Sequence, residues 1–302
     1  MTKLPSFFTL LLLLLSSAAW ASTPSDTLTV VFWNLENFFD YHSASRPAGW
    51  NRRRFDAKCN SICKTLLDIS GSSGSLPDIV GFAEVENRYV LSSLLSRTLL
   101  RKAGYSIVHY ESPDHRGIDC ALLYRKDRLK LLSSEPKHLC DSLGSVISTR
   151  DILLARFENL SVLVNHHPSK LGSGKDDLRR LAFQRMENLA DSLLKQGSGG
   201  VLCIGDFNDD LWTKGDKLPD NQGTIKFNSS WEKIDGFFCY GQIEVQEKVF
   251  DAPYLLEKDK KWGGLKPRRT FIGPRYNAGV SDHLPIVLKV YLPEVKGSVK
   301  SQ

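Results

Sequence analysis

Short apolar runs separated by polar turns recur along the chain, and they predict a protein rich in β-strands. Continuous apolar stretches of about four to eight residues are typical of strands buried on both faces, whereas apolar residues three and four apart indicate helices. Strands are predicted at residues 28–39, 78–85, 105–110, 118–125, 129–134, 152–157, 160–167, 201–207, 233–239 and 284–292. Helices are predicted at residues 54–69, 89–104 and 176–197.

The predicted strands outnumber the helices and often follow one another directly. This pattern favours an α/β fold in which two β-sheets pack together with helices outside. No internal repeat or low-complexity linker divides the sequence. We therefore expect a single domain over residues 22–302, with a core at about 28–292.

The first 21 residues predict a secretory signal peptide. Lys3 precedes an apolar run, and the residues Ala19-Trp20-Ala21 supply the small side chains of a cleavage site. The alternative is a membrane anchor, but the run is short for a span of about 20 residues. We expect cleavage after Ala21 and export to the periplasm or the medium, with no transmembrane segment in the mature chain.

Net charge and cysteine content exclude few classes of function. The 302 residues carry a formal charge of +6, which is compatible with an anionic substrate but is common without one. Six cysteines in an exported chain permit disulfides, although Cys120 and Cys203 lie in strand-like runs, where buried free thiols are common. The pairing of the cysteines stays open.

Polar side chains recur where predicted strands begin or end. These residues are Asn34, Glu84, Asp119, Asn165, His166, Asp206, Asn208, Asp235, Asp282 and His283. Each alone is more simply read as a turn or helix-capping residue. Together they would form a crowded acidic site, and buried carboxylates must be solvated, paired or bound to a cation. Oxygen ligands favour Mg²⁺, Mn²⁺ or Ca²⁺ over zinc.

An ordered series of motifs resembles the endonuclease/exonuclease/phosphatase superfamily, which has the fold of pancreatic-type deoxyribonuclease. The motifs are FWNLEN at 32–37, GFAEVEN at 81–87, RGIDCALLYR at 116–125, VLVNHHPSK at 162–170, IGDFND at 204–209, IDGFF at 234–238 and GVSDHLPI at 279–286. The stretch RRTFIGPRYNAGVSDHLPIVL at 268–288 looks most like exported bacterial members. The resemblance implies a four-layer α/β sandwich, with two mixed β-sheets face to face and helices outside.

The resemblance also implies metal-dependent attack of water on a phosphate ester. It makes Glu84 the principal metal ligand, with Asn34 beside it and Asp282 near the metal. It assigns activation of the water to Asp206. Asn208 is expected to donate a hydrogen bond to the phosphate or to Asp206.

Two histidines complete the implied site. His283 is expected to contact the phosphate and to act as a general acid or base, and His166 is the second histidine. A carboxylate behind an imidazole raises its pKa and fixes its tautomer. We therefore predict two pairs, His166 with Asp119 and His283 with Asp235.

Three further residues are candidate substrate contacts. Arg116 could contact phosphate, although a surface salt bridge is an equal alternative. Arg150 corresponds to a family position near the substrate, although ordinary pairing with Asp151 is also open. Asn165, which precedes His166, is the third.

The substrate remains the main open question at this point. The leading hypothesis is an exported, monomeric nuclease that acts on DNA or RNA. The alternatives are an enzyme for a small-molecule or lipid phosphoester, and a catalytically silent binding protein with the same fold. No aromatic hairpin for membranes is evident, although residues 209–232 and 252–269 are long enough to contain one.

Overall fold

The computed structural model describes residues 27–44, 46–170, 175–209 and 223–292, so the predicted signal peptide lies outside the described residues. The strands are β1 (Thr27–Phe38), β2 (Ile79–Val85), β3 (Tyr105–His109), β4 (Asp119–Arg125), β5 (Leu131–Lys137), β6 (Ile152–Phe157), β7 (Ser161–His166), β8 (Gly200–Asp206), β9 (Ile225–Phe227), β10 (Ser230–Glu232), β11 (Asp235–Gly241), β12 (Glu244–Val249), β13 (Leu256–Lys258), β14 (Leu265–Pro267), β15 (Phe271–Ile272), β16 (Arg275–Tyr276) and β17 (Ile286–Tyr291). The helices are α1 (Arg52–Ser73), α2 (Arg88–Arg97) and α3 (Lys175–Lys195), with short 3₁₀ turns at Leu99–Lys102 and Pro253–Leu255.

Eleven strands form two mixed sheets. The larger sheet has the order β12-β17-β1-β2-β4-β3, and the smaller has the order β11-β8-β7-β6-β5. Strands β1 and β2 are parallel, as are β7 and β8, and the other neighbours in both sheets are antiparallel. Two mixed sheets of six and five strands match the predicted fold class.

Alternation along the strands explains the layers. In β1, Val30 and Phe32 point into the core between the sheets, whereas Val31 and Trp33 pack with apolar residues of α1 and α2. Residues of α3 pack on the outer face of the smaller sheet, where Leu163 belongs to the same cluster. The order is therefore helix, sheet, sheet, helix, which confirms the expected four layers.

The two sheets approach closely at Gly81 in β2. A Cβ atom at this position would lie 2.7 Å from Cδ1 of Ile204 in β8. Any side chain larger than hydrogen would therefore force the facing strands apart or displace Ile204.

Local chemistry moves several helix boundaries away from those predicted. Helix α1 runs to Ser73 and not 69, and Gly74 ends it in the left-handed conformation at φ 81°. Helix α2 ends at Arg97 and not 104, because Thr98 is extended and its hydroxyl accepts a hydrogen bond from the Leu100 N–H group.

The short hairpins β9–β10, β13–β14 and β15–β16 and the edge strand β12 were not predicted, since they lack long apolar runs. All six cysteines are free thiols. Within the described parts of the chain, no helix has the length and hydropathy needed to cross a membrane.

Candidate active site

The ends of β1 and β2 supply one wall of the site. Both strands change register there, between Asn34 and Phe38 and between Phe82 and Val85. Such bulges bend the chain and redirect side chains. Glu84 has φ 61°, and Glu36 and Asn37 have φ 45° and 52°. Left-handed backbone in residues other than glycine costs about 1–3 kcal/mol each and is concentrated at functional sites.

The smaller sheet supplies the opposite wall. Asp206 ends β8, where it pairs with His166 of β7 on one side and with Asp235 of β11 on the other. Phe207, the next residue, is fully buried among aromatic side chains on the outer face of this sheet. Asn208 follows at φ 51° and lies near Asp206 again. Alternation along the chain thus places the polar and the apolar residue of the IGDFND motif on opposite sides.

The two walls line a cavity of about 550 Å³ that is open to solvent. Its acidic, amide and histidine lining residues are Asn34, Glu36, Asn37, Glu84, His166, Asp206, Asn208, Asn228, Asp259, Asp282 and His283. Its basic lining residues are Arg116, Lys226, Lys261, Lys266 and Arg269. Acidic groups from strand ends and basic groups from loops and hairpins therefore share one cavity.

The structure forms the predicted pair of His283 and Asp235. His283 Nδ1 lies 2.7 Å from Asp235 Oδ2, and both side chains are buried. Burial alone would lower the pKa of His283, but the charges of Asp235 and Asp206 raise the pKa well above its usual value. The imidazolium is therefore the favoured form at neutral pH, with Nε2 directed 3.9 Å from Asp206 Oδ2.

The loop that carries His283 is fixed to β1. The Ser281 hydroxyl donates to the Asn34 carbonyl at 2.6 Å and accepts from the His283 N–H group at 3.0 Å. The indole of Trp33 donates to the His283 carbonyl at 2.9 Å. These contacts join the loop to the larger sheet, whereas Asp235 belongs to β11 of the smaller sheet, so the position of the imidazole depends on both sheets.

Asp206 is a buried carboxylate held by two amides. Its Oδ2 accepts from Asn34 Nδ2 at 2.9 Å, and its Oδ1 accepts from the Asn208 N–H group at 3.0 Å. Burial raises the pKa of Asp206 to about 7, and the neighbouring charge of Asp235 adds to this effect. Such a group can exchange a proton near neutral pH.

Acidic residues of the first wall are held by neighbouring donors. Glu84 Oε2 accepts from the Asn37 N–H group at 2.8 Å, while Oε1 lies 3.9 Å from both His166 Nε2 and Arg116 Nη2. The Arg269 guanidinium joins Glu36 at 2.7 Å and Asp282 at 3.0 Å. One oxygen of Glu84 thus has only long contacts within the described residues.

This donor set suits a hard divalent cation. The carboxylates of Glu84, Asp206 and Asp282 all line the cavity, and Glu84 Oε1 lies no closer than 3.9 Å to His166 Nε2 and Arg116 Nη2. Burial raises the pKa of Asp206 and of Glu36, and the negative charge of a neighbouring carboxylate raises each pKa further. A bound cation would reduce this repulsion between carboxylates. Carboxylate oxygens are the ligands that Mg²⁺, Mn²⁺ and Ca²⁺ prefer.

A family comparison agrees with this geometry. A sequence profile described as the Endonuclease/Exonuclease/phosphatase family matches residues 29–219 and 232–292, which is most of the chain. The chain belongs to the endonuclease/exonuclease/phosphatase family. No curated protein matches its sequence.

Solved structures of family members and similar proteins share the fold at low sequence identity. A truncated TDP2 from Caenorhabditis elegans has a TM-score of 0.53 at 15% identity, covering 88% of this chain and 97% of its own. The human Nocturnin catalytic domain with bound sulfate has a TM-score of 0.55 at 16% identity, covering 88% and 94%. An endonuclease/exonuclease/phosphatase family protein from Bacteroides thetaiotaomicron has a TM-score of 0.55 at 16% identity, covering 89% and 99%.

The second predicted pair, His166 with Asp119, is not formed. Asp119 Oδ2 lies 3.3 Å from His109 Nε2, and its Oδ1 accepts from the Ser112 N–H group at 2.8 Å. His166 Nδ1 is buried and has no hydrogen-bond partner among the described residues. Burial lowers the pKa of His166 well below its usual value, with a further contribution from Arg150. His166 is therefore a neutral imidazole in this family member.

Two predicted substrate residues do not line the cavity. Arg150 is buried, where it pairs with Asp114 at 3.2 Å and donates to the His167 carbonyl at 2.7 Å. Its alternative partner, Asp151, contacts His138 instead, at 2.8 Å.

Asn165 is also absent from the cavity lining, because its side chain is fully buried. Its Nδ2 donates to the carbonyls of Leu163 and Ile204, at 3.0 and 3.2 Å. Arg116 does line the cavity, where its side chain is 40% exposed.

Sequence reasoning missed three residues that shape the site. Glu36 stands inside the FWNLEN motif, so its spacing from Asn34 could have drawn attention to it. Arg269 lies in a loop with no strand-end pattern. Lys58 is buried in α1, where its Nζ donates to the Glu36 carbonyl at 2.8 Å and to Thr270 Oγ1 at 2.9 Å. Burial lowers the pKa of Lys58 to about 8.

Proposed function

We propose that the protein is a metal-dependent phosphodiester hydrolase, and that its substrate is DNA or RNA encountered after export. The observation that carries the proposal is the convergence of Glu84, Asp206 and the His283–Asp235 pair on one cavity. General base, general acid and a cation-binding carboxylate are the groups that hydrolysis of a phosphate ester requires.

Asp206 is suited to accept the proton of the attacking water. With a pKa of about 7, its carboxylate is basic enough to assist and still largely ionised above neutral pH. Asn34 and Asn208 hold its two oxygens, so that its orientation is fixed before substrate binds. Glu84 and Asp282 would hold the metal, which when bound supplies positive charge to the phosphoryl oxygens.

His283 is suited to stabilise the phosphoryl group and protonate the leaving oxygen. Asp235 accepts a hydrogen bond from the proton of Nδ1, and in the imidazolium form Nε2 carries the second proton, which faces the cavity. The neutral imidazole of His166 lies 3.7 Å from Asp206, where its Nε2 can donate to a phosphoryl oxygen. The two histidines would thus have different protonation states and complementary roles.

Open access and basic lining support a polyanionic substrate. Arg116 and Lys261 supply positive charge to the cavity lining, whereas the lining residues Arg269, Lys226 and Lys266 are already paired with carboxylates. Cations that lie beyond the reacting centre attract successive phosphates of a nucleic-acid strand.

The test compares substrates and metals with the purified wild-type protein. Plasmid DNA, single-stranded RNA, bis-p-nitrophenyl phosphate and a phosphocholine lipid are each incubated with Mg²⁺ and with EDTA. We expect Mg²⁺-dependent cleavage of a nucleic acid and a loss of about 10²–10⁴-fold in His283→Ala. The control is His138→Ala, whose histidine pairs with Asp151 outside the cavity lining.

Each alternative predicts a different result. Cleavage confined to the small diester or the lipid would replace the nuclease proposal with the second hypothesis. Metal binding without turnover of any substrate would favour a silent binding protein. Export is tested separately by N-terminal sequencing of the secreted protein, which we expect to begin at Ser22.

A further inference from the structure

A second, smaller cavity adjoins the proposed active site. It has a volume of about 360 Å³ and lies between the hairpins β9–β10 and β13–β14, lined in part by Trp231 and Leu265. Lys226 and Trp262 line this cavity and the catalytic cavity alike. The two cavities therefore share part of their wall, which includes the Trp262 side chain.

Backbone pairing connects the second cavity to the catalytic histidine. Ile225, at the start of β9, forms a β-bridge with His283. Phe227 follows two residues later, about 7 Å along an extended strand. Its side chain lines the catalytic cavity and is 57% exposed. An exposed aromatic ring thus lies two residues along β9 from the residue that bridges to His283, and it lines the same cavity as the imidazole.

Lys226 links the two hairpins. Its side chain is only 4% exposed, and its Nζ lies 3.3 Å from Asp259 Oδ2 and donates to the Gly263 carbonyl. Asp259 in turn accepts from the Trp262 N–H group at 3.2 Å. The loop that carries Trp262 is therefore held against β9, although the indole itself is 47% exposed.

Two exposed aromatic rings, Trp262 and Phe227, lie in a cavity wall that also carries lysines. Leaving a Trp and a Phe side chain in water gives up much of the free energy that their burial would supply. Lys261 Nζ lies 4.8 Å from the Trp262 ring centroid, so positive charge accompanies the indole into the shared wall. Planar rings for stacking and ammonium groups for phosphate are the two elements of single-strand recognition.

We propose that the second cavity is a base-binding subsite, in which Trp262 stacks against an unpaired nucleobase adjoining the phosphate held by the catalytic cavity. This inference rests on the proposed function and makes it more specific. It assigns the substrate to single-stranded nucleic acid or to nucleotides with an accessible base. Phe227 contacts the same strand on the catalytic side.

A membrane surface is the competing occupant of these aromatic residues. Membrane-inserting side chains form a protruding apolar surface, whereas Trp262 lines two concave spaces together with Lys226. The shared lining with the catalytic cavity favours a base attached to the reacting phosphate. The membrane alternative is kept as an outcome of the test.

Binding of labelled oligonucleotides in EDTA tests the inference without turnover. Fluorescence anisotropy compares a short single-stranded DNA with the same strand built from abasic residues. Wild type, Trp262→Leu, Trp262→Phe and Phe227→Leu are measured, with Leu99→Ala as a control for loss of an exposed apolar side chain outside both cavities. Circular dichroism verifies that each variant is folded.

We expect Trp262→Leu to weaken binding of the base-containing strand by about 5- to 100-fold, with little effect on the abasic strand. Trp262→Phe should restore most of the affinity, because it keeps a stacking surface. Phe227→Leu should have a smaller effect in the same direction, and Leu99→Ala should bind as wild type does.

Three results would overturn the subsite. These are equal binding of both strands by wild type, equal weakening of both strands by Trp262→Leu, and Trp262-dependent binding to sphingomyelin–phosphatidylcholine vesicles without any base preference. Base-selective binding without hydrolysis would instead contradict only the proposed catalysis. Hydrolysis without base-selective binding would contradict only the subsite.

Discussion

Replacing His167 by phenylalanine should make the protein more resistant to acid. The imidazole of His167 is buried between the rings of Phe207 and Phe183, with centroid distances of 5.1 and 5.5 Å. Neither ring nitrogen has a hydrogen-bond partner among the described residues. Burial, followed by the charge of Arg150, lowers the pKa of His167 to about 3.

The magnitude follows from the difference between the folded and unfolded pKa values. In the unfolded chain His167 takes up a proton near pH 6.5, whereas the folded protein excludes it until about pH 3. The unfolded state therefore binds more protons throughout this window, and stability falls as the pH falls. At pH 5, which is about 1.5 units below the pKa of the unfolded chain, this group lowers the free energy of unfolding by about 2 kcal/mol, since each pH unit contributes about 1.4 kcal/mol.

Urea unfolding at pH 7 and at pH 5 measures this contribution. We expect the loss of unfolding free energy between the two pH values to be about 2 kcal/mol smaller in His167→Phe than in wild type. The matched control is Phe183→Leu, which alters packing against the same imidazole but removes no titrating group. It should lower stability equally at both pH values, and an unchanged pH dependence in His167→Phe would refute the reasoning.

Three further perturbations test the site and its frame. Asp235→Asn replaces the carboxylate partner of His283 Nδ1 by a neutral amide, so kcat should fall by about 10²–10⁴-fold with an unchanged circular dichroism spectrum; undiminished kcat would exclude the pair from catalysis. Gly205→Ala would place a Cβ atom 2.5 Å from a backbone oxygen of the neighbouring strand, so urea unfolding should show a loss of about 1–3 kcal/mol, and equal stability would contradict the close approach. Arg150→Met leaves the buried carboxylate of Asp114 without its guanidinium, so stability should fall by about 3–5 kcal/mol; a Tm within a degree of wild type would show that the pair contributes little.

Most strands of the two large sheets could be predicted from the sequence because they are buried on both faces. In β1, β2 and β8 the apolar runs are uninterrupted, and polar residues mark the places where the strands reach the cavity. The hairpins β9–β10 and β13–β14 left no such signal. They are short, half-exposed and stabilised by side-chain contacts such as that of Lys226 with Asp259, which no periodicity reveals.

Partners within the site were harder to predict than its members. Asp119 was expected behind His166, but it begins β4, and the neighbouring strand β3 carries His109 opposite Ala121. Residues offset by two across a strand pair share a face of the sheet, so His109 is the nearer imidazole. Lys58 illustrates a different limit, since a lysine on an amphipathic helix is ordinarily solvated and only the folded chain shows its burial.

The close approach at Gly81 has a consequence for how activity responds to damage. Glu84 belongs to one sheet and Asp206 to the other, so their separation is set by the thickness of the apolar layer between them. A partly folded molecule in which only one of the two sheets is formed would have no complete active site. Turnover should therefore be more sensitive than circular dichroism to how the two sheets pack together. Substitutions in the apolar layer between the sheets should impair catalysis before they unfold the chain.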